Sequence, residues 1–311
     1  MKKYITKRVL TSIMTLFVIL LVLFILMDLM PGSPFNDEKL TAEQLALLNA
    51  KYGLDKPLIV RFLLYVKNML TGDLGVSYTI NKNFAVSSMI KDRLGISIGV
   101  GALAMAMGTV FGLTLGIVSA LNHNNWVDNL CSTISVMGVS IPSYVVALVL
   151  CFFVGYKLGW LPILYNTDQP FVSLIMPALA LSVSPTANIA RFTRSEMIDV
   201  LSSDYILLVQ SKGVKDHKMI FSHVLRNTLI PVITVMGPIL VNLLTGSSVI
   251  EKIFGIPGIG RLMITAIQEN DYNVTIACAF VYSVMYIVTM LFVDILYGVI
   301  DPRIRISKEE G

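Results

Sequence analysis

His123, His217 and His223 are the only histidines of this 311-residue chain, and His217 and His223 stand six apart, a spacing that does not place two metal ligands on one helical face. Cys131, Cys151 and Cys278 are odd in number, share no C-x-x-C spacing, and each falls in an apolar run. They read as small hydrophobic side chains. The chain has no Walker-type loop, no His-Glu-x-x-His and no Gly-x-Ser-x-Gly. The glycines of Phe254–Arg261 are not followed by Gly-Lys-Ser/Thr, so they do not form a phosphate cradle. The expectation is a chain with no catalytic residue, no metal site and no cofactor of its own. Any work done with ATP must be done by another molecule.

What remains is one polar segment of unusual pattern, Asp204 to Pro231, DYILLVQSKGVKDHKMIFSHVLRNTLIP. Apolar residues recur at helical spacing on both sides of Gly213, which predicts two short helices joined at a bend. Glycine alone takes positive φ without a Cβ penalty, so Gly213 suits a sharp turn. Lys212, Lys215, Asp216 and Lys218 surround the bend, while Met219, Ile220 and Val224 supply an apolar stripe. Such a knob fits a groove on a soluble domain. A basic loop resting on anionic headgroups would explain the lysines but not the bent pair.

Long apolar runs must position this segment. The chain is 55% hydrophobic and 14% charged, against about 25% charged in soluble domains. Charge-free runs cover Val9–Met27, Leu94–Val127, Asn129–Tyr156, Gln169–Ala190, Asn227–Ile250 and Tyr272–Val293. About 20 apolar residues cross a bilayer as a helix. The runs are continuous rather than alternating, which predicts an all-α polytopic membrane protein with six transmembrane helices. The first run is too long for a signal h-region and no A-x-A site follows it, so it is expected to be retained. Thirteen Lys and Arg lie before the first run, between the fourth and fifth, and after the sixth, while the two short opposite loops hold only Lys157, Lys252 and Arg261. By the positive-inside rule both termini are cytoplasmic. Eight more basic residues lie between Pro31 and Arg93, in a loop of about 60 residues, the length at which that rule loses force. The net charge of +4 calls for membrane-flanking bases and no nucleic acid.

This divides the chain into residues 1–30, a basic start and first span; 31–93, an extracytoplasmic loop; and 94–311, a five-span core with a cytoplasmic loop at 191–228. Within the outer loop Leu58, Phe62, Val66 and Met69 recur at helical spacing, predicting an amphipathic helix that lies on the membrane surface or forms part of a docking platform. In the second span Ala104, Gly108, Gly112, Gly116 and Ala120 are four apart and share one face, which allows close helix packing, within the chain or against a second membrane subunit. Pro142, Pro177, Pro185, Pro231 and Pro238 fall in or beside later spans and can kink them. Trp126 and Trp160 mark the two interfaces. Asp28 and Asp294 are peripheral carboxylates with no relay between them. Glu251 to Arg261 reads as a tight re-entrant turn with a charged rim, in which Phe254, Pro257, Gly258, Gly260 and Arg261 shape the outer face.

In order along the chain stand Met30-Pro31-Gly32-Ser33-Pro34, Tyr52-Gly53-Leu54-Asp55-Lys56-Pro57, Gly72-Asp73-Leu74-Gly75-Val76-Ser77, Gly155 to Pro162, Phe254–Arg261 with Asp271-Tyr272, and Asp294 through Asp301-Pro302-Arg303-Ile304-Arg305. With this series the chain resembles the membrane permease subunit of bacterial oligopeptide and dipeptide ABC importers, the first of two sister permeases, over nearly its whole length. The resemblance implies the type I importer permease fold in the bacterial cytoplasmic membrane. It also implies a homologous sister permease, two cytoplasmic ATPase subunits that carry ATP and Mg, and an extracytoplasmic peptide-binding protein. That family grips its ATPases through Glu-Ala-Ala, three residues, Gly, nine residues, Ile-x-Leu-Pro. Here Leu207, Leu208 and Val209 take the Glu-Ala-Ala positions, Gly213 the glycine, and Ile230-Pro231 close a longer version. The glutamate is absent, and an ionic role for it does not carry over.

Other importers with similar permeases take nickel or short glycosides. Two further classes are an ion-coupled secondary transporter, which needs an inverted repeat and midplane ionisable groups not evident here, and a membrane sensor that recruits a cytosolic protein through the same loop.

Overall fold

A computed structural model of the protein describes residues 2–29 and 41–300. The side chains of Asp28 and Asp294, the Met30–Pro34 fragment and the Asp301–Arg305 fragment lie outside the described residues. The described chain is helical, without a strand; Val76 and Ala85 form an isolated bridge. In order it runs α1 (Lys2–Leu29), α2 (Ala42–Tyr52), α3 (Leu58–Leu70), α4 (Val86–Leu121), α5 (Trp126–Ser140), α6 (Ser143–Leu150) with a π-helical continuation (Cys151–Lys157), α7 (Pro170–Leu201), α8 (Asp204–Ser211), α9 (Asp216–Met219) with a second π-helical stretch (Ile220–Val224), α10 (Leu225–Gly246), α11 (Ser248–Ile253), α12 (Ile259–Gln268) and α13 (Tyr272–Ile300).

Among the described residues five stretches are long and apolar enough to cross a membrane: Arg8–Met27, Val86–Leu121, Pro170–Leu201, Asp216–Leu243 and Tyr272–Val293. The third expected span is not one straight helix. Trp126–Ser140 and Ser143–Lys157 meet at a bend of 100°. The cause is local: the residue before a proline is pushed out of the helical region, and Ile141 takes φ −87°, ψ 121° ahead of Pro142, which opens α6. The other expected kink sites behave differently. Pro177 and Pro185 lie inside α7, and Pro231 and Pro238 inside α10, without ending either helix.

The described residues form two compact units, one within 1–97 and 256–287, the other within 98–255 and 288–300. In the first, α1 is almost bare: 6% of its apolar window is buried within the protein. It packs through Leu20, with Phe62 of α3 and Ile276 of α13. Phe62 sits edge-on between Phe17 and Phe24, at 5.2 and 5.5 Å. The expected amphipathic stripe is therefore inward. Phe62, Val66 and Met69 cover α1 and α13, while Ile59, Leu63 and Leu70 form the exposed side. A second cluster joins Leu74, Met89, Ile259, Leu262, Val274 and Tyr282. α2 is closed by a capping box between Thr41 and Gln44 and by Gly53 at φ +69°.

In the second unit α7 is the central helix, with half of its apolar window buried. The small residues of α4 lie against it. A Cβ on Gly108 would stand 2.6 Å from Cβ of Pro185, one on Gly112 2.8 Å from Cβ of Ile189, and one on Gly116 2.6 Å from Cβ of Thr193. Ala104 and Ala120 at the ends of the row are buried. α5 approaches α7 from another side, where a Cβ on Gly138 would meet Ala187 at 3.1 Å. Without a hydrophobic drive between helices in lipid, such close approach supplies the dispersion contact that holds them.

Candidate functional site

The segment singled out in the sequence forms a sharp corner. α8 is capped by Lys212, and Gly213 takes φ +73° with its N–H bonded to the carbonyl of Gln210 at 2.9 Å. A Cβ there would meet nothing within 4 Å, so backbone conformation rather than space selects glycine. Lys215 then turns the chain into α9, whose first turn carries Asp216 against the positive helix end. The second arm is not a separate short helix as expected. From Asp216 it continues through the π-helical stretch into α10 and onward to Leu243. Pro231 is a half-buried residue inside α10.

The apolar sides of the two arms are also arranged differently from the expected stripe. Met219, Val224 and half-buried Ile220 pack with Ile206 and Val209 of α8, Met197 of α7 and Ala120 of α4. They hold the corner onto the protein and are not presented outward. The outward apolar side chains are Leu207, 66% exposed, Leu208, 54%, and Phe221, 71%. Lys212, Lys215 and Lys218 are exposed around them. The Tyr205 hydroxyl lies 2.7 Å from Nδ1 of His223, linking the first arm to the π-helical stretch of the second. The surface is thus a basic corner with an apolar tip, held by its own small core. Phe221 could not be placed from the sequence because the π-helical stretch shifts the angular register of the second arm.

The turn after α11 begins with Phe254, which is fully buried and whose carbonyl accepts from the Tyr165 N–H at 2.8 Å. Gly255 follows at φ +66°. Glu251 is also fully buried, accepting from the Ser247 hydroxyl at 2.9 Å. It is not part of a charged rim. On the other side of the turn, Pro257 is half-buried, extended Gly258 leads into α12, Gly260 is buried in its first turn, and Arg261 points outward. The N–H of Gly258 bonds Ile256 at 2.9 Å, and that of Ile259 bonds the Ser97 hydroxyl at 2.9 Å. These donors are used internally, which fits a structural turn.

Two fragments far apart in sequence meet in the first unit. The buried carboxylate of Asp271 accepts from the Ser77 hydroxyl at 2.5 Å and from the N–H groups of Tyr78, Thr79 and Ile80 at 3.0, 3.1 and 3.3 Å. Asn273 donates to the Val76 carbonyl at 2.8 Å. Gly75, at φ +78°, leaves the space that Asn273 needs: a Cβ would lie 2.3 Å from its Nδ2. Burial and the nearby Asp271 carboxylate push the Tyr78 hydroxyl up to about 12, so it stays neutral. Beside this clamp a cleft of about 600 Å³ opens, lined in part by Lys51, Tyr52, Lys56, Arg61, Tyr65 and Tyr78.

One buried ion pair lay unnoticed in the sequence. Asp128, 2% exposed, is gripped by Nε of Arg194 at 2.6 Å and by Nη2 at 2.7 Å. The signal was present: Asp128 is the single charge separating the second and third apolar runs. Its partner stands 66 residues away, counted only among the flanking bases.

Among the described residues the features are an exposed basic and apolar corner, close helix packing and buried clamps. The sequence matches two families: residues 112–306 the one described as binding-protein-dependent transport system inner membrane component, and residues 1–100 its N-terminal membrane component. It is 44% identical over 306 residues to the dipeptide transport system permease protein DppB of Lactococcus lactis subsp. cremoris, covering 98% of this chain and all of that one. It is 39% identical over 306 residues to the oligopeptide transport system permease protein OppB of Haemophilus influenzae, with the same coverage. Among solved structures, the inward-facing MetNI methionine ABC transporter matches with TM-score 0.56 at 15% identity, over 68% of this chain and 96% of that one. An amino acid ABC transporter matches with TM-score 0.55 at 15% identity, over 68% and 94%. The fold is that of an ABC importer permease, and the chain belongs to the inner-membrane components of binding-protein-dependent transport systems.

Proposed function

We propose that this chain is the transmembrane subunit of an ATP-driven peptide importer, forming half of the path together with a homologous sister permease. The relatives named as dipeptide and oligopeptide permeases, similar over their full length, support peptides as the substrate. Two cytoplasmic ATPase subunits bind ATP and Mg, and one of them docks on the corner at Gly213. An extracytoplasmic peptide-binding protein delivers substrate at the face that carries the residue 31–93 loop and the 254–261 turn. In this reading both termini are cytoplasmic, and the bent pair α5–α6 counts as one span.

The observation that carries the reading is the corner itself. Leu207, Leu208 and Phe221 are exposed together with three lysines, while Ile206, Val209, Met219, Val224 and half-buried Ile220 are held in the chain's own core. The mechanism follows from two-state logic. ATP binding closes the ATPases and displaces the corner, and the spans pass from inward-open to outward-open.

The test is copurification in mild detergent, followed by uptake of a labelled dipeptide and a labelled pentapeptide into proteoliposomes. ATPase subunits and peptide uptake are the expected results. Gly213→Val forces a β-branched residue to positive φ, and the expected outcome is at least about tenfold less peptide moved per ATP. Equal coupling in this variant excludes the corner as the transmission point. Absence of ATPase subunits from the purified complex overturns the whole reading.

A further inference from the structure

Asp128 does more than close its own turn. Its Oδ1 accepts from the Ser119 hydroxyl at 2.5 Å and from Nε of Arg194 at 2.6 Å. Its Oδ2 accepts from the Asn124 N–H at 2.9 Å and from Nη2 of Arg194 at 2.7 Å. The Ser132 hydroxyl lies 3.5 Å from Oδ1, and His123 Nδ1 lies 3.2 Å from Arg194 Nη2. One carboxylate thus ties together the end of α4, the turn after it, the start of α5 and the C-terminal part of α7. Closing the α4–α5 turn needs only Ser119 and Asn124. The planar arginine fork adds a third helix, in a bidentate geometry that fixes orientation as well as distance.

The position of that third helix matters. Arg194 lies seven residues before α7 ends at Leu201, about two turns, and α8 follows after Ser202 and Ser203. Immediately beside Ser119, Ala120 packs in the cluster with Ile206 and Val209 of α8. One turn earlier, Gly116 lies against Ala190 and Thr193 of α7. The end of α4 therefore meets α7 by close packing, reaches the Asp128–Arg194 pair through the Ser119 hydroxyl, and shares an apolar cluster with α8.

We infer that Asp128 and Arg194, with Ser119, form a transmission lock that makes α4, α5, α7 and the docking helix α8 one rigid body. These are positioning residues: they touch no substrate, and they determine whether displacement of α8 drags the spans with it. The inference rests on the proposed ATPase docking at the Gly213 corner. Without the lock, α8 follows the ATPase while α7 and the α4–α5 turn lag behind. Hydrolysis then continues and uptake falls.

The decisive quantity is the number of ATP molecules hydrolysed per peptide taken up, measured on complex purified with its partners and reconstituted in proteoliposomes, with a labelled dipeptide and a labelled pentapeptide as probes. Arg194→Met is expected to raise the ratio by about fivefold or more. A merely structural role would lower assembled complex, and with it uptake and hydrolysis in proportion, leaving the ratio unchanged. Because Arg194→Met leaves the buried carboxylate with His123, 3.4 Å from Oδ2, as its one basic neighbour among the described residues and can block assembly, Arg194→Lys and Ser119→Ala decide the matter where it does. Lysine keeps the charge and loses the fork, and Ser119→Ala keeps the fork and loses one donor; each is expected to raise the ratio by about twofold. A ratio equal to the unmodified complex in the variants that assemble overturns the lock. If the unmodified complex itself shows no ATP-driven uptake, the transport reading has failed instead.

Discussion

Asp271 is the residue on which the loop after α3 depends. Its carboxylate is fully buried and receives a hydroxyl and three consecutive backbone N–H groups. Removing the acceptor leaves those donors without their partner, and a buried group stripped of its partner costs about 1–3 kcal/mol, more where a charge was involved. Asp271→Ala is therefore expected to destabilise the first unit by about 3 kcal/mol, while Asp271→Asn retains an acceptor and costs less. Thermal unfolding in detergent ranks the two, and limited proteolysis between residues 71 and 85 shows where the loosening starts. Equal melting temperatures for both variants and the unmodified chain would show that the clamp is dispensable.

Between helices, packing in the second unit is decided by the absence of side chains. α4 carries glycines that meet α7 and others that meet nothing, which provides an internal control. A Cβ on Gly112 would lie 2.9 Å from the Thr186 carbonyl oxygen and 2.8 Å from Cβ of Ile189, whereas one on Gly99 meets nothing within 4 Å. Forcing an extra carbon into a filled interface costs about 1–3 kcal/mol. In open space the same change gains roughly 0.5–1 kcal/mol of helix preference. Gly112→Ala should lower the melting temperature of the purified chain, and Gly99→Ala should leave it unchanged or raise it. If both variants melt alike, α4 and α7 are not in register through the glycine row.

For the whole molecule, the side of the membrane reached by each loop turns on the bent pair α5–α6. If Trp126–Lys157 crosses as one broken span, Asn124 and Lys157 lie on opposite sides and both termini share one side. If the pair re-enters, they lie on the same side. In a background with Cys131, Cys151 and Cys278 replaced, Asn124→Cys, Lys157→Cys and Lys215→Cys are expected to label with a membrane-impermeant maleimide as follows in intact spheroplasts. Lys157→Cys reacts at once, and the other two react only after permeabilisation. Labelling of Lys215→Cys from outside would place the Gly213 corner where no ATPase can reach it.

Much of this molecule was legible in the sequence because lipid is a demanding solvent. A backbone in hydrocarbon must satisfy its hydrogen bonds within one segment, so uninterrupted apolar runs announce helices. Positive φ favours glycine, so the bend at Gly213 could be read from one residue. The row from Ala104 to Ala120 was visible as a row, because a period of four is a property of one helix. Which helix fills it was not, since nothing in α4 identifies Pro185, Ile189 and Thr193. The inward face of α3, the buried stripe at Met219 and Val224, the 100° bend at Pro142 and the ion pair of Asp128 with Arg194 were likewise settled only by tertiary structure. Local chemistry fixes what a segment can form. Which apolar face turns inward, and which charge finds a partner 66 residues away, are decided by long-range contacts, whose free energy no local window contains.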